Sequence, residues 1–121
     1  MPELIHHLAR AAEFEATPAG QPYQPPAFAA DEFVHCTREL PQLLDVANRY
    51  YGNEPGRFVV LDIDLGRLTA TVRYEAGSPP PKPGSPQAGV LFPHVYGPID
   101  REAIVAVRPA QRAPDGRFLS L

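Results

Sequence analysis

Two short stretches of the sequence place side chains suited to chemistry two residues apart. Arg73 and Glu75 form one pair, and His94 and Tyr96 form the other. In an extended strand, this spacing puts both members of a pair on one face. Proline and glycine flank the second pair and constrain its backbone, so His94 and Tyr96 are candidate ligand donors. The structural alternatives are a surface ion pair between Arg73 and Glu75, and a core tyrosine beside a histidine that caps a loop carbonyl.

The remaining histidines could supply a base or a metal ligand. His6 and His7 are adjacent and must point to opposite faces of a strand, as must His35 and Cys36. The sequence has no Cys-x-x-Cys or His-x-x-x-His spacing, so a zinc site would need His7, His35, His94 and a carboxylate from distant segments. We therefore predict no metal, and we expect Cys36 to be a small buried residue rather than a nucleophile.

Length and composition predict a single domain over residues 1–121. The net charge of −3 gives no basic footprint for nucleic acid, so we expect no DNA partner. A single cysteine excludes an internal disulfide and fits a reducing compartment. The N-terminus lacks a signal-peptide pattern, and no apolar stretch approaches the ~20 residues of a membrane helix. The expected location is cytoplasmic, with no membrane association.

Proline and glycine divide the chain into structured and loop segments. Proline-rich loops are predicted at 18–26 and 77–89, and the second is interpreted as a disordered insertion, with a lid as the alternative. Apolar spacing predicts helices at 9–16 and 40–51, and strands at 4–8, 33–36, 58–63, 68–74, 90–96, 103–107 and 118–121. Early helices and late strands favour an α+β fold. Strands 58–63 and 103–107 are expected to be central, with Leu43, Leu44 and Ala47 packed against them.

Four segments, in chain order, match motifs of a known family. They are Ile5-His6-His7-Leu8, Asp31-Glu32-Phe33-Val34-His35-Cys36-Thr37, Arg73-Tyr74-Glu75 and Phe92-Pro93-His94-Val95-Tyr96-Gly97-Pro98. The chain thus resembles the domain-of-unknown-function 952 family, small bacterial proteins of about this length. Glu32 stands where the family pattern has glycine, so the backbone entering the His35 strand is expected to differ. Thr37 replaces a serine and keeps the hydroxyl.

The resemblance implies a fold similar to ADP-ribosyltransferase-like domains, which bind NAD in a cleft of a split antiparallel or mixed β-sheet with two main helices. By that analogy, His7 would contact the ribose, Tyr96 or Tyr74 the nicotinamide, and Glu75 the oxocarbenium-like transition state. The candidate catalytic and ligand-binding side chains would then line a single cleft for a small anionic or nucleotide ligand. The candidate catalytic residues are Glu75, His35 and His94, and the candidate ligand-binding residues are His7, Arg73, Tyr96 and Thr37.

Three functions remain open from the sequence. The first is an ADP-ribosyltransferase-like enzyme that acts on NAD, as substrate, or on another nucleotide–ribose compound, with Arg73 binding a phosphate. The second is a non-catalytic module that binds a small ligand or a peptide in the same cleft. The third is a metal-assisted hydrolase built on His7, His35 and His94.

Overall fold

The strands of the chain form two three-stranded antiparallel sheets and a short hairpin within the residues that the computed structural model describes, 3–77, 83–84 and 89–121. The strands are β1 (Leu4–Arg10), β2 (Val34–His35), β3 (Phe58–Asp64), β4 (Thr71–Ala76), β5 (Leu91–Tyr96), β6 (Ile104–Pro109), β7 (Gln111–Arg112) and β8 (Phe118–Ser120). The helices are α1 (Ala11–Glu15), α2 (Phe28–Asp31) and α3 (Leu40–Tyr51), and 3₁₀ turns span Leu65–Arg67 and Arg101–Ala103. Most of the predicted proline-rich loop at 77–89 lies outside the described residues.

The two sheets meet along β1, so the strands form a split β-structure of two sheets rather than one continuous sheet. One sheet has the order β1-β3-β6 and the other β2-β5-β4, and every pair in the described chain is antiparallel. The α+β prediction is confirmed, and the described sheets contain no parallel part. An isolated bridge joins β1 to the segment after β2, because the amides of His6 and Thr37 each donate to the other's carbonyl at 2.8 Å.

Alternation along β1 and β3 supplies two apolar layers on opposite faces of the first sheet. One face carries Ile5, Leu61 and Ile63, which pack with Val34 and Val95 of the second sheet. The other face is covered by α3 and β8, through a cluster that contains Leu8, Leu43, Ala47, Phe58, Val60 and Phe118. Burial on both faces explains why β3 has an almost continuous apolar sequence.

The helix predicted at 40–51 is confirmed in both bounds. Its apolar spacing buries Leu43 and Ala47 against the first sheet, whereas Leu44 is only half-buried. The β7–β8 hairpin packs against the same helix. Asn48 donates its side-chain amide to the Phe118 carbonyl at 3.1 Å and accepts from the Phe118 amide at 2.7 Å, so that it acts as a strand partner for β8.

Other predictions need correction. The helix expected at 9–16 begins only at Ala11, because Arg10 still pairs with Phe58 in the first sheet. Strand 103–107 was expected to be central, but β6 lies at the edge of its sheet, and Val105 and Val107 are 49% and 46% exposed. The apolar run of β6 resembled a buried strand although one of its faces is uncovered. The 3₁₀ turn at Leu65–Arg67 delays β4 to Thr71, and the short elements α2 and β7 were not predicted.

Candidate functional site

A cavity of about 600 Å³ borders β1, α3, the chain from Asp31 to Thr37, and β5. Much of its wall is apolar and aromatic, with side chains of Tyr23, Phe33, Phe58 and Phe92. A volume of this size, an apolar wall and a few polar groups are typical of a site for a small molecule.

Four of the predicted site residues line this cavity, and three others lie behind its wall. His7, His35, Thr37 and His94 belong to the lining. Glu75 and Tyr96 do not line the cavity. Glu75 bonds to both His94 and Tyr96. The Arg73 guanidinium lies over the Tyr96 ring, 5.3 Å from its centroid. The antiparallel register explains the grouping, since His35 and Arg73 are the direct partners of His94 on its two sides.

A hydrogen-bonded series runs from Tyr96 through Glu75 to His94. The Tyr96 hydroxyl donates to Glu75 Oε1 at 2.5 Å, and His94 Nδ1 lies 2.9 Å from the same oxygen. The Tyr96 hydroxyl, and then His94, hold the pKa of Glu75 below its usual value, so this carboxyl is ionised at neutral pH. An ionised Glu75 accepts the Nδ1 proton of His94, which leaves His94 Nε2 as the unprotonated ring nitrogen.

Burial and stacking fix the His94 ring. The Phe33 ring stacks on it with centroids 4.0 Å apart and an interplanar angle of 17°. Burial lowers the pKa of His94, although the hydrogen bond to Glu75 opposes that effect. A neutral imidazole oriented by a carboxylate is the usual arrangement of a general base.

His35 forms a second histidine–carboxylate pair at the cavity. Its Nε2 lies 3.0 Å from Asp31 Oδ2, and its ring meets the His94 ring edge-on at 5.4 Å. Phe33 contacts both histidines. Neither Asp31 nor Phe33 was a sequence candidate, although Asp31 precedes His35 by four residues and both lie in the motif Asp31–Thr37.

Glu32 adopts the left-handed conformation between these two residues. Its φ is +68°, the value that glycine would take without strain. The chain thus enters β2 through a left-handed residue, a conformation that glycine adopts without strain and that the family pattern's glycine would also allow.

His7 is buried and carries its proton on a known nitrogen. Its Nδ1 donates to the His35 carbonyl at 2.6 Å, because a carbonyl can only accept. Burial lowers the pKa of His7 to about 4, so the ring is neutral at pH 7. Its Nε2 is therefore an acceptor, and this buried atom has no hydrogen-bond partner in the described chain.

Tyr23 presents a second buried polar atom without a partner among the described residues, its hydroxyl oxygen. Its ring is 5.9 Å from that of His7, and both residues line the cavity. A backbone bridge to Ile99 anchors Tyr23 in the proline-rich segment 18–26. Tyr23 was not among the residues predicted from the sequence, where the only signal was an aromatic residue among prolines and glutamines.

The charged groups at the cavity are already paired. Arg10 lines the cavity and bonds to Glu54, with Glu13 nearby. Arg73 is exposed on β4, outside the lining. The charged side chains of the described lining are thus paired with one another or with Glu54, and the exposed Arg73 lies outside the lining. Tyr74, the alternative aromatic candidate, is half-exposed beside Arg38 and takes no part in the lining.

The structure supports neither a nucleophilic Cys36 nor a metal site built on three histidines. Burial raises the pKa of the Cys36 thiol, which disfavours the thiolate. Within the described residues, no three His, Cys, Asp or Glu side chains are grouped to hold a metal ion. The three-histidine cluster of a metal-assisted hydrolase, built on His7, His35 and His94, is therefore not found among the described residues.

A comparison with models of protein families identifies the family of this chain. The model described as "Protein of unknown function (DUF952)" matches residues 8–107. The chain belongs to the DUF952 family. No curated protein matches it. None of the helices in the described part of this DUF952 chain combines the length and apolar character needed to cross a membrane.

Solved structures of CC0527 from Caulobacter crescentus share the fold. A crystal structure matches with a TM-score of 0.76 at 21% identity and covers 96% of this chain and 93% of that chain. The solution NMR structure of CC0527 gives a TM-score of 0.66 at 23% identity over 94% and 90% of the two chains. At these identities, the similarity establishes a common fold for the DUF952 chain and CC0527.

Proposed function

We propose that this DUF952 protein is an enzyme of the ADP-ribosyltransferase type, which acts in the cavity on NAD or a related nucleotide–ribose compound. The observation that carries the proposal is the series Tyr96–Glu75–His94, which ends at a cavity large enough for a nucleoside-sized group. The reaction class comes from the fold-level analogy to ADP-ribosyltransferase-like domains that the sequence resemblance implies.

The chemistry assigns a separate task to each member of the series. The bond from the ribose C1′ to the pyridinium nitrogen breaks, and nicotinamide leaves with the electron pair. A water or an acceptor hydroxyl attacks C1′ and gives its proton to His94 Nε2. Glu75 acts as a positioning residue: it holds the His94 ring, and its charge stabilises the imidazolium as it forms. In this proposal the exposed Arg73 binds the diphosphate outside the cavity.

Release of nicotinamide from NAD by the purified protein, followed by chromatography, tests this proposal. We expect Glu75→Gln and His94→Gln to lower the rate by about 100-fold or more, the usual contribution of a positioned acid or base. Glu102→Gln is the matched control, since Glu102 is exposed and does not line the cavity. Unchanged turnover in Glu75→Gln would contradict the assignment.

The pH profile separates positioning from a merely structural role. The hydrogen bond to Glu75 raises the pKa of His94, so its loss lowers that pKa. The acid limb of the rate profile in Glu75→Gln should therefore shift to lower pH than in the wild-type protein. A destabilised fold alone would reduce the rate without shifting this limb.

A binding module remains the second candidate, because the aromatic wall suits a ligand and Glu75 lies behind the lining rather than on it. Calorimetry with NAD distinguishes the two functions. Binding without nicotinamide release, in the presence or absence of acceptor proteins, would favour the module.

A further inference from the structure

Two residues of the cavity lining, His7 and Tyr23, each carry a buried polar atom that lacks a partner in the described chain. His7 Nε2 and the Tyr23 hydroxyl are buried, and each is left without a hydrogen bond in the described chain. An unsatisfied buried polar atom destabilises a protein, so such atoms are rare and usually have a partner that the free chain does not supply. Two of them on neighbouring rings of one cavity point to a bound group.

The hydrogen-bonding capacities of the pair restrict that group. His7 Nε2 can only accept, since Nδ1 holds the ring proton for the His35 carbonyl. Tyr23 keeps its phenol proton, because burial raises the pKa of that hydroxyl, and it can donate. The matching ligand edge therefore carries one donor and one acceptor and has no charge.

The surroundings of the pair restrict the ligand further. Phe14 meets the Tyr23 ring edge-on at 5.3 Å, and Phe33 and Phe92 belong to the lining of the same cavity. Flat rings fit such surroundings. The cation on the lining, Arg10, is already bonded to Glu54, so no unpaired cation of the described lining would stabilise a carboxylate or phosphate there.

We propose that His7 and Tyr23 form a neutral subsite for a primary carboxamide on a flat heterocycle. The carboxamide N–H donates to His7 Nε2, and its carbonyl accepts from the Tyr23 hydroxyl. The inference rests on the proposed function for its ligand class and assigns the nicotinamide end of NAD to the buried part of the cavity. The diphosphate is then left to a cation outside the lining, the role assigned above to Arg73.

Calorimetric titration of the full chain with nicotinamide, nicotinate and ADP-ribose tests the subsite. Nicotinamide should bind at least tenfold more tightly than nicotinate, which at neutral pH offers no donor to His7 and brings a charge. Tyr23→Phe should weaken nicotinamide about tenfold and leave ADP-ribose unchanged. Tyr74→Phe is the matched control, because that hydroxyl lies outside the cavity lining.

The stability of the free protein provides a second measurement, because Tyr23→Phe should not lower it although the same substitution lowers the affinity for nicotinamide. Tyr23→Phe removes an unsatisfied buried hydroxyl, so the unfolding midpoint of the free protein should stay the same or rise while nicotinamide affinity falls. Equal affinities for nicotinamide and nicotinate, or wild-type nicotinamide affinity in Tyr23→Phe, would overturn the subsite. Weaker ADP-ribose binding in Tyr23→Phe would overturn it too, since a sugar hydroxyl would then occupy the pair.

The subsite and the proposed function can fail separately. NAD turnover without a preference for nicotinamide over nicotinate would refute the carboxamide subsite and leave the enzyme proposal standing. Tyr23-dependent nicotinamide binding without turnover of NAD would support the subsite and refute the transferase.

Discussion

Glu32 is a charged residue in a backbone conformation that favours glycine. It sits between Asp31 and Phe33, and the strand that follows it positions His35 at the cavity. A left-handed conformation costs a residue with a Cβ about 1–2 kcal/mol. Strain at this point is thus located beside the groups proposed to act on a ligand, which is where strained residues often occur.

Replacement of Glu32 tests this strain. Glu32→Gly should raise the free energy of unfolding by up to about 1 kcal/mol, since relief of strain exceeds the backbone entropy that glycine loses on folding. Glu32→Val should lower it, because a branched Cβ is least tolerated at positive φ. Urea unfolding of both variants provides the measurement. A glycine variant less stable than the wild-type protein would show that the Glu32 side chain makes a favourable interaction.

The sequence predicted the side chains that belong to recognisable motifs. It did not predict the side chains that stack on those residues or lie beside them in the cavity lining. Strand parity correctly paired His94 with Tyr96 and Arg73 with Glu75. Phe33 and Tyr23 could not be found in this way, because a ring stacked on a histidine and a buried hydroxyl without a partner are products of the tertiary fold.

At the scale of elements, one polar side chain bonds α3 to β8 beside the apolar cluster that the two elements share. Asn48 exchanges two hydrogen bonds with the backbone of Phe118, whose ring is buried beside Phe58. Arg112 adds bonds from β7 to the carbonyls of Tyr51 and Gly52, where α3 ends. The hairpin is thus bonded to the helix although it belongs to neither large sheet.

Loss of this side chain should loosen the hairpin. Asn48→Ala should lower the free energy of unfolding by about 1–3 kcal/mol, because a net hydrogen bond contributes roughly 0.5–1.5 kcal/mol and two are lost. Asn53→Ala is the control, since Asn53 is exposed in the loop after α3 and should change stability by less than about 0.5 kcal/mol. Equal effects of the two substitutions would contradict the assigned role of Asn48.

Elements with strong periodicity were predictable, and elements fixed by their neighbours were not. Helix α3 has an amphipathic pattern along its whole length, and both of its bounds were predicted. The position of β6 at an edge was not predictable, because an apolar strand has the same sequence whether or not another strand covers it. The strand–helix boundary at Arg10 was decided by its pairing with Phe58.

At the scale of the whole molecule, neutral buried histidines make stability depend on pH. His7 has a pKa of about 4 in the folded protein and near 6.5 when unfolded, so the unfolded chain binds the proton first as pH falls. Its contribution is complete above pH 6.5 and is lost toward pH 4. The lowered pKa of His94 acts in the same direction. The carboxyls of Asp62 and Glu75, with lowered pKa values, lose their contributions only at more acidic pH.

The free energy of unfolding should therefore fall by about 2 kcal/mol from His7 alone between pH 7 and pH 5. Chemical denaturation at the two pH values measures the fall. His7→Gln, which retains an amide donor for the His35 carbonyl, should show a smaller difference between them. A fall of the same size in both proteins would contradict the assignment to His7.

The bridge between His6 and Thr37 has a consequence for how a ligand enters and leaves. Its two backbone hydrogen bonds join the sheets next to His7 and Thr37, which line the cavity. A change in the angle between the sheets would break these two bonds and the hydrogen bond from His7 to the His35 carbonyl, and it would loosen the shared apolar layer, while every strand ladder stays intact. Such a local opening needs far less free energy than unfolding. The residence time of a ligand would then depend on how often the two sheets move apart, and not on the free energy of unfolding of either sheet.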